Sequence, residues 1–195
     1  MASLTTFRLF AVATLILSTF MCAPASAKDT WPFDWLEWDR NADLWEARIG
    51  AGAFNTRALS DKTGTPEGVV VHGEIVAPSP DSLRFIGSPR PYLGVEGAFS
   101  HEPIHVFYGG LTWQAYFTER FYYGFSLGGA VVSDTQVVGD RSLGSNVLFN
   151  LQWNAGFDIT PKQGVQFFVN HFSNANLADK NDGLDTTGGR FIYRF

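Results

Sequence analysis

The sequence has a single cysteine, Cys22, and after residue 27 it has no apolar run long enough for a membrane-spanning helix. Cys22 lies within residues 1–27, where Arg8, an apolar run and the Ala-Ser-Ala tripeptide at 25–27 are typical of a cleaved secretory signal peptide. We therefore expect residues 1–27 to be removed on export. The remaining chain would have no disulfide, so closure of the fold must supply its stability.

Basic charge is also scarce, since 14 Lys and Arg residues face 19 Asp and Glu residues, for a net charge of −5. Nucleic-acid binding depends on basic surface patches, so no nucleic-acid partner is expected. The chain is rich in glycine, with 20 residues, and in aromatics, at 15%. An exported chain of this composition with no apolar helix is typical of an outer-membrane β-barrel.

Eight segments alternate between apolar and polar residues, as strands with one apolar face do. They predict an all-β fold, an eight-stranded antiparallel transmembrane outer-membrane β-barrel over residues 43–195. The strands are expected at 43–54, 69–76, 91–99, 105–117, 121–133, 147–158, 164–173 and 188–195. Acids, bases, amides and glycines share the polar faces, which fits the crowded, charge-paired interior of a narrow barrel. An ordinary soluble β-barrel or sandwich is the alternative.

The segments outside the strands also follow the outer-membrane pattern, with two exceptions. Residues 28–42 carry three tryptophans among acidic residues, which favours a membrane–water boundary, although an ordinary loop on the barrel rim is the alternative. Short and long connections alternate as periplasmic turns and external loops do. The link 77–90 departs from this alternation, because it should be a periplasmic turn but is long and rich in proline, and the link 100–104 departs the other way, because it should be an external loop but is short. The C-terminal run 190–195, which ends in Phe195, resembles the signal read by the outer-membrane assembly machinery.

His171 and Ser173 lie two residues apart on the seventh predicted strand, so both side chains project from the same face. The other residues of this face are valine and phenylalanine, which indicates a lipid-facing wall near its polar boundary. The alternation of the eighth strand, extended upstream, would place Asp185 on the outer face as well. A serine, a histidine and a carboxylate provide the nucleophile, base and orienting group of an acyl-transfer triad. Asn174 or the backbone N–H of Ala175 could then stabilise the oxyanion.

The segment from His171 through Ser173, Asn174 and Ala175, followed by Asn181 to Asp185, resembles the HxSNA…NxGxE signature of the lipid A 3-O-deacylase (PagL) family. The resemblance implies hydrolysis of the ester-linked 3-hydroxyacyl chain of lipid A by a membrane-facing triad, without a metal or other cofactor. It implies that Ser173 is the nucleophile, His171 the base and Asp185 the acid. It also implies that Asn174 and Ala175 belong to the oxyanion region and that Asn181 is a loop residue near the site. The acid of the family is glutamate, which is one methylene longer than Asp185.

We therefore expect a bacterial outer-membrane serine esterase that acts on lipid A, in the lipopolysaccharide of the outer leaflet. Two cations in the outer loops, Arg141 and Lys180, are expected to bind its phosphates. The alternatives are a non-catalytic barrel that acts as a scaffold or adhesin, and a phospholipase-type lipid esterase. Acyl-chain preference and a homodimer are left open.

Overall fold

The computed structural model describes residues 36–38, 40–59, 67–137 and 139–195. The expected signal peptide and most of the segment 28–42 lie outside these residues. The strands are β1 Glu46–Phe54, β2 Gly68–Val76, β3 Arg90–Ser100, β4 Val106–Tyr116, β5 Phe121–Val132, β6 Val147–Asp158, β7 Gln163–Ser173 and β8 Leu184–Arg194. A short 3-10 helix, Asp81–Ile86, lies between β2 and β3. Within the described residues, no helix is long and apolar enough to cross a membrane.

Each strand pairs antiparallel with its neighbours in sequence, and β8 closes the barrel on β1. This confirms the predicted antiparallel barrel of eight strands. The predicted strand limits agree within a few residues except at the start of β8, which begins at Leu184 and not at residue 188. The additional residues 184–187 of this strand are stabilised from inside the barrel, where the Thr186 hydroxyl donates to both oxygens of the Glu96 carboxylate at 3.0 Å.

The two faces of the sheet have opposite chemistry, with apolar side chains outside and polar ones inside. On β6 the outward Val147 and Phe149 are 67% and 49% exposed, whereas the inward Asn150 and Gln152 are fully buried. A soluble protein would place these residues the other way round, because exposed apolar surface in water is unfavourable. The arrangement is the one that a barrel wall in contact with lipid requires.

Paired charges fill the interior of the barrel. The Glu46 carboxylate accepts hydrogen bonds from Arg48 and, at 2.7 Å, from Nε of Arg194. The Glu74 carboxylate accepts from Arg48 and, at 3.5 Å, from Arg190. Because these side chains are buried and occupy the interior, a lipid molecule could bind only to the outer wall or to the loops.

The connections divide the barrel into two ends. The tight turns 117–120 and 159–162 lie at one end, here called the short-turn end, and the longer connections that follow β1, β5 and β7 leave the sheet at the other, the loop end. The start of the described chain is at the short-turn end, where Arg40 Nη1 donates to the carbonyl of Glu119 at 2.7 Å. The location of Trp38 at a membrane boundary stays a prediction.

Candidate functional site

Strand β7 places His171 and Ser173 on the outer wall at the loop end. Their neighbours Asn170 and Phe172 point inward and are fully buried, whereas His171 and Ser173 are half-buried. The period-two pattern therefore places both side chains on the face that the sequence indicated. Ser173 is the last residue of the strand, so it lies where the apolar wall meets the polar loops.

Strand β8 brings a carboxylate to this pair. Asp185 lies directly opposite His171 in the register of β7 and β8, and its Oδ1 is 2.6 Å from Nδ1 of the ring. Its Oδ2 accepts the backbone N–H of Leu59 at 2.7 Å. Asp185 belongs to the outer face by the alternation of β8, but it is fully buried because the loop after β1 covers it. A carboxylate on this wall is thus shielded from lipid and bonded on both oxygens.

The contact with Asp185 decides which ring nitrogen of His171 can act on a substrate. A carboxylate at Nδ1 holds the ring proton there, so Nε2 carries the free lone pair that a general base needs. Within the described residues, no hydrogen bond joins the Ser173 hydroxyl to the ring. Such bonds are often loose until the substrate is bound. The structure therefore brings His171 and Asp185 into contact and places Ser173 beside them on the same face.

The loop after Ser173 determines which donors could face a developing negative charge. The side-chain amide of Asn174 donates to the carbonyls of Leu143 at 2.7 Å and Lys180 at 2.6 Å. Its backbone N–H donates to Oδ1 of Asn181 at 2.9 Å. All three N–H groups of Asn174 are therefore used to hold the loops. Within the described part of the chain the N–H of Ala175 donates to no group, and the positive φ of 54° at Ala175 marks a sharp turn of the backbone.

A groove that the sequence reasoning missed opens beside Ser173. It has a volume of about 490 Å³ and is lined mainly by Gly129, Val147, Phe149 and Leu177. Phe149 is the cross-strand partner of Ser173, and Gly129 is the partner of Phe149, so the groove runs across the wall away from the serine. The signal in the sequence is a glycine at an outward position of β5, where leucine, valine and aromatic residues are otherwise found.

Comparison with known proteins identifies the family. The sequence model of the family described as lipid A 3-O-deacylase (PagL) matches residues 92–194, just over half of the chain, and this part contains His171, Ser173 and Asp185. The chain belongs to the lipid A 3-O-deacylase (PagL) family. The lipid A deacylase PagL of Bordetella bronchiseptica is 35% identical over 77 residues, which cover 40% of this chain and 43% of that protein. The chain thus spans less than half the length of this relative.

Solved structures support the fold. The crystal structure of the outer membrane enzyme PagL matches with a TM-score of 0.56 at 17% identity, over 76% of this chain and 98% of that chain. The N-terminal β-barrel domain of Pseudomonas aeruginosa OprF matches with a TM-score of 0.54 at 9% identity, over 78% and 98% of the two chains. At such low identity the likeness concerns the fold alone. The predicted outer-membrane type of β-barrel is thereby confirmed.

One expectation about this member of the PagL family is wrong. Arg141 is not available to bind phosphate, because it is only 7% exposed and its guanidinium is used inside the protein. Nη1 donates to Oδ1 of Asn55 at 3.1 Å, and Nη2 donates to the carbonyls of Asp182 and Gly183 at 3.1 and 3.0 Å. Burial, with Arg57 nearby, lowers the pKa of Arg141. The side chain ties all three long loops together immediately before Asp185.

Replacing Arg141 with alanine is expected to loosen these loops without opening the barrel. The carbonyls of Asp182 and Gly183 would lose a charged donor, a loss of roughly 1.5–3 kcal/mol for such a bond. We expect faster proteolytic cleavage within the loops and unchanged heat-modifiable migration on gels. Arg141→Lys is the matched control for charge, and it should rescue little, because an ammonium cannot reproduce the forked contacts. Protection of the loops in Arg141→Ala equal to wild type would contradict this role.

Proposed function

We propose that the chain is an outer-membrane serine esterase that hydrolyses the ester-linked 3-O acyl chain of lipid A. The observation that carries the proposal is the His171–Asp185 contact beside Ser173, on a lipid-facing wall, in a member of the lipid A 3-O-deacylase family. Ionisable groups on such a wall are unfavourable, so a buried carboxylate bonded to a histidine there calls for a functional reason.

The chemistry follows from the roles of the three side chains. The hydroxyl oxygen of Ser173 attacks the ester carbonyl, and Nε2 of His171 accepts its proton. Asp185 stabilises the imidazolium that results, and the N–H of Ala175 donates to the tetrahedral oxyanion. His171 then protonates the departing sugar oxygen. A water molecule, deprotonated by the same nitrogen, hydrolyses the acyl-serine and releases the hydroxy fatty acid.

The proposed substrate reaches the site from the side, within the outer leaflet. The groove beside Ser173 would hold the acyl chain, since its walls are apolar and continuous with the lipid-facing surface. The loop end would then face the cell exterior, and the short-turn end the periplasm. This location requires export with cleavage of residues 1–27 and insertion by the outer-membrane assembly machinery. Phe195 is suitably placed for recognition, as it is 55% exposed at the end of β8.

The proposal is tested by mass spectrometry of lipid A from cells with and without the protein. Loss of one 3-hydroxyacyl chain per lipid A molecule is the expected result. An unchanged lipid A profile with altered phospholipids would support the phospholipase-type esterase instead. No change in either lipid class, with the protein folded in the outer membrane, would support the non-catalytic barrel.

Gly129 offers a prediction about acyl-chain preference. A Cβ at Gly129 would meet nothing closer than the carbonyl oxygen of Leu148 at 3.7 Å, so the fold does not require glycine there. Gly129→Leu should fill the groove and lower kcat/KM for long-chain esters by about 10-fold or more, with short-chain esters little affected. Gly97→Leu is the matched control, because Gly97 is also an outward strand glycine with nothing near its Cβ position. Equal effects of both variants on long and short chains would contradict an acyl-binding role for the groove.

Lys180 is exposed in the loop 174–183 and is proposed to bind a phosphate of lipid A. Lys180→Ala should raise KM for phosphorylated lipid A several-fold, and kcat should stay near wild type, because a contact far from the ester affects binding more than chemistry. Lys162→Ala, at the short-turn end, is the control and should change neither value. If the KM of Lys180→Ala equalled that of the wild type on both phosphorylated and dephosphorylated lipid A, Lys180 would not bind a phosphate of the substrate.

A further inference from the structure

The ladder between β3 and β4 is unusually short at the short-turn end. It extends from Glu96 opposite Val106 to Arg90 opposite Thr112, whereas β4 continues to Tyr116 and stays paired with β5 along its whole length. The last residues of β4 therefore have no β3 partner on this side. In a membrane an unpaired strand edge is unfavourable, since lipid offers no hydrogen bonds to its N–H and C=O groups.

Two other segments cover this edge. Glu37 forms a bridge with Tyr116 through two backbone hydrogen bonds of 2.9 Å. The link between β2 and β3, which departed from the expected short periplasmic turn, brings the carbonyl of Ile86 to Nε1 of Trp113 at 2.9 Å. A Cβ on Gly87 would lie 3.4 Å from Trp113 and 3.9 Å from Trp38, so this link packs on both tryptophans. Residues 36–38 and the link thus replace the missing end of β3.

The 3-10 helix in this link carries an exposed phenylalanine next to a pair of charged residues. Phe85 is 62% exposed, and so most of its ring contacts no protein group. Arg84 donates to Asp81 at 2.9 Å and also pairs with Asp43. The link packs on Trp113, an outward residue whose cross-strand partner is Phe125, and the ring of Phe125 packs in a tilted arrangement against Trp153, with 5.7 Å between ring centres.

We propose that this helix is a membrane-surface anchor, in which Phe85 inserts between phospholipids at the periplasmic boundary while Arg84 and Asp81 stay among the head groups. The partner is the phospholipid leaflet, because the helix packs on the aromatic wall that already faces lipid. Aromatic rings next to charged groups are the composition that settles at this boundary. The anchor would fix the depth of the barrel in the membrane, and it is independent of the esterase chemistry.

Site-directed spin labelling in phospholipid vesicles tests this anchor. Phe85→Cys is labelled in a full-length Cys22→Ser background, with Phe167→Cys, in the middle of the outer wall and 55% exposed, as the lipid-exposed control and Lys162→Cys as the aqueous control. We expect the label at 85 to be accessible to oxygen and protected from a water-soluble nickel reagent, shifted from the behaviour at 162 toward that at 167. Accessibility to the nickel reagent equal to that at 162 would overturn the proposal.

A second measurement needs no variant at this position. The wild-type protein is irradiated in vesicles that contain a phospholipid with a diazirine near its glycerol backbone, and adducts are located by mass spectrometry. We expect adducts on the peptide that contains residues 81–86. Labelling of the β7 wall without any adduct on this peptide would overturn the anchor, even if Phe85→Cys fails to fold.

Discussion

Ser173→Ala is expected to abolish deacylation of lipid A, with a fall in kcat of roughly 10⁴-fold or more, the size of loss seen when a catalytic serine is removed. The hydroxyl is the one group that becomes bonded to the substrate in the proposed mechanism, and a methyl group at this position has no nucleophile to offer. Purified wild-type and variant proteins in mixed micelles with lipid A, followed by mass spectrometry over time, give the two rates. Heat-modifiable migration on gels shows that both are folded.

The control for this variant is Ser133→Ala. Ser133 accepts the backbone N–H of His105 and is not among the residues that line the groove, so its replacement should leave the rate near wild type. A Ser173→Ala variant that kept most of its activity while His171→Asn lost it would contradict a covalent mechanism. Water activated by His171 would then be the nucleophile, and no acyl-serine should accumulate.

The wall of the barrel could be predicted from the sequence because its pattern has a period of two. A shift of one residue in any strand would place valine and phenylalanine inside and arginine and glutamate outside, so the register has one acceptable solution. His171 and Ser173 point outward because they occupy outward positions of this pattern. The start of β8 could not be predicted in the same way. Thr186, Thr187 and Gly188 interrupt the apolar alternation, and they are held in the strand by pairing with β7 and by the hydrogen bonds of Thr186 to Glu96 inside the barrel.

The loop residues show why the remainder of the site was not predictable. A cation such as Arg141 is expected to be exposed in a polar loop, and only the packing of three loops on one another shows that both of its Nη groups already donate to other residues. The same packing occupies the side-chain amide of Asn174, whereas the N–H of Ala175 donates to no group among the described residues, as its proposed oxyanion role requires. Contacts between loops depend on pairs of residues far apart in sequence, on which periodicity carries no information. The groove at Gly129 arises from β5, β6 and the loop after β7 together, so the pattern along any one strand does not indicate it.

Asp185→Asn should have the second large effect. Asparagine has the shape of aspartate and can still accept the N–H of Leu59, so the fold should survive. Its amide nitrogen would donate to Nδ1 of His171, which forces the ring proton onto Nε2 and removes the lone pair that must accept the serine proton. This is the wrong tautomer for a base, and in a serine protease triad the same change lowers kcat by about 10⁴-fold. We expect a fall of similar order here, with KM little changed.

Asp185→Glu separates the need for charge from the need for reach, since it introduces the acid that the family signature carries. The carboxylate is restored, but it is one methylene longer in a fully buried position that bonds Leu59 and His171 at 2.7 and 2.6 Å. A displacement of about 1 Å can cost up to about 10²-fold in rate, so this variant should lie between wild type and Asp185→Asn. Rates for the three proteins across pH 5 to 9 provide the measurement. If Asp185→Asn stayed within about tenfold of wild type over this range, Asp185 would be a structural partner of His171 and not the acid of a triad, because correct tautomer control contributes far more than that.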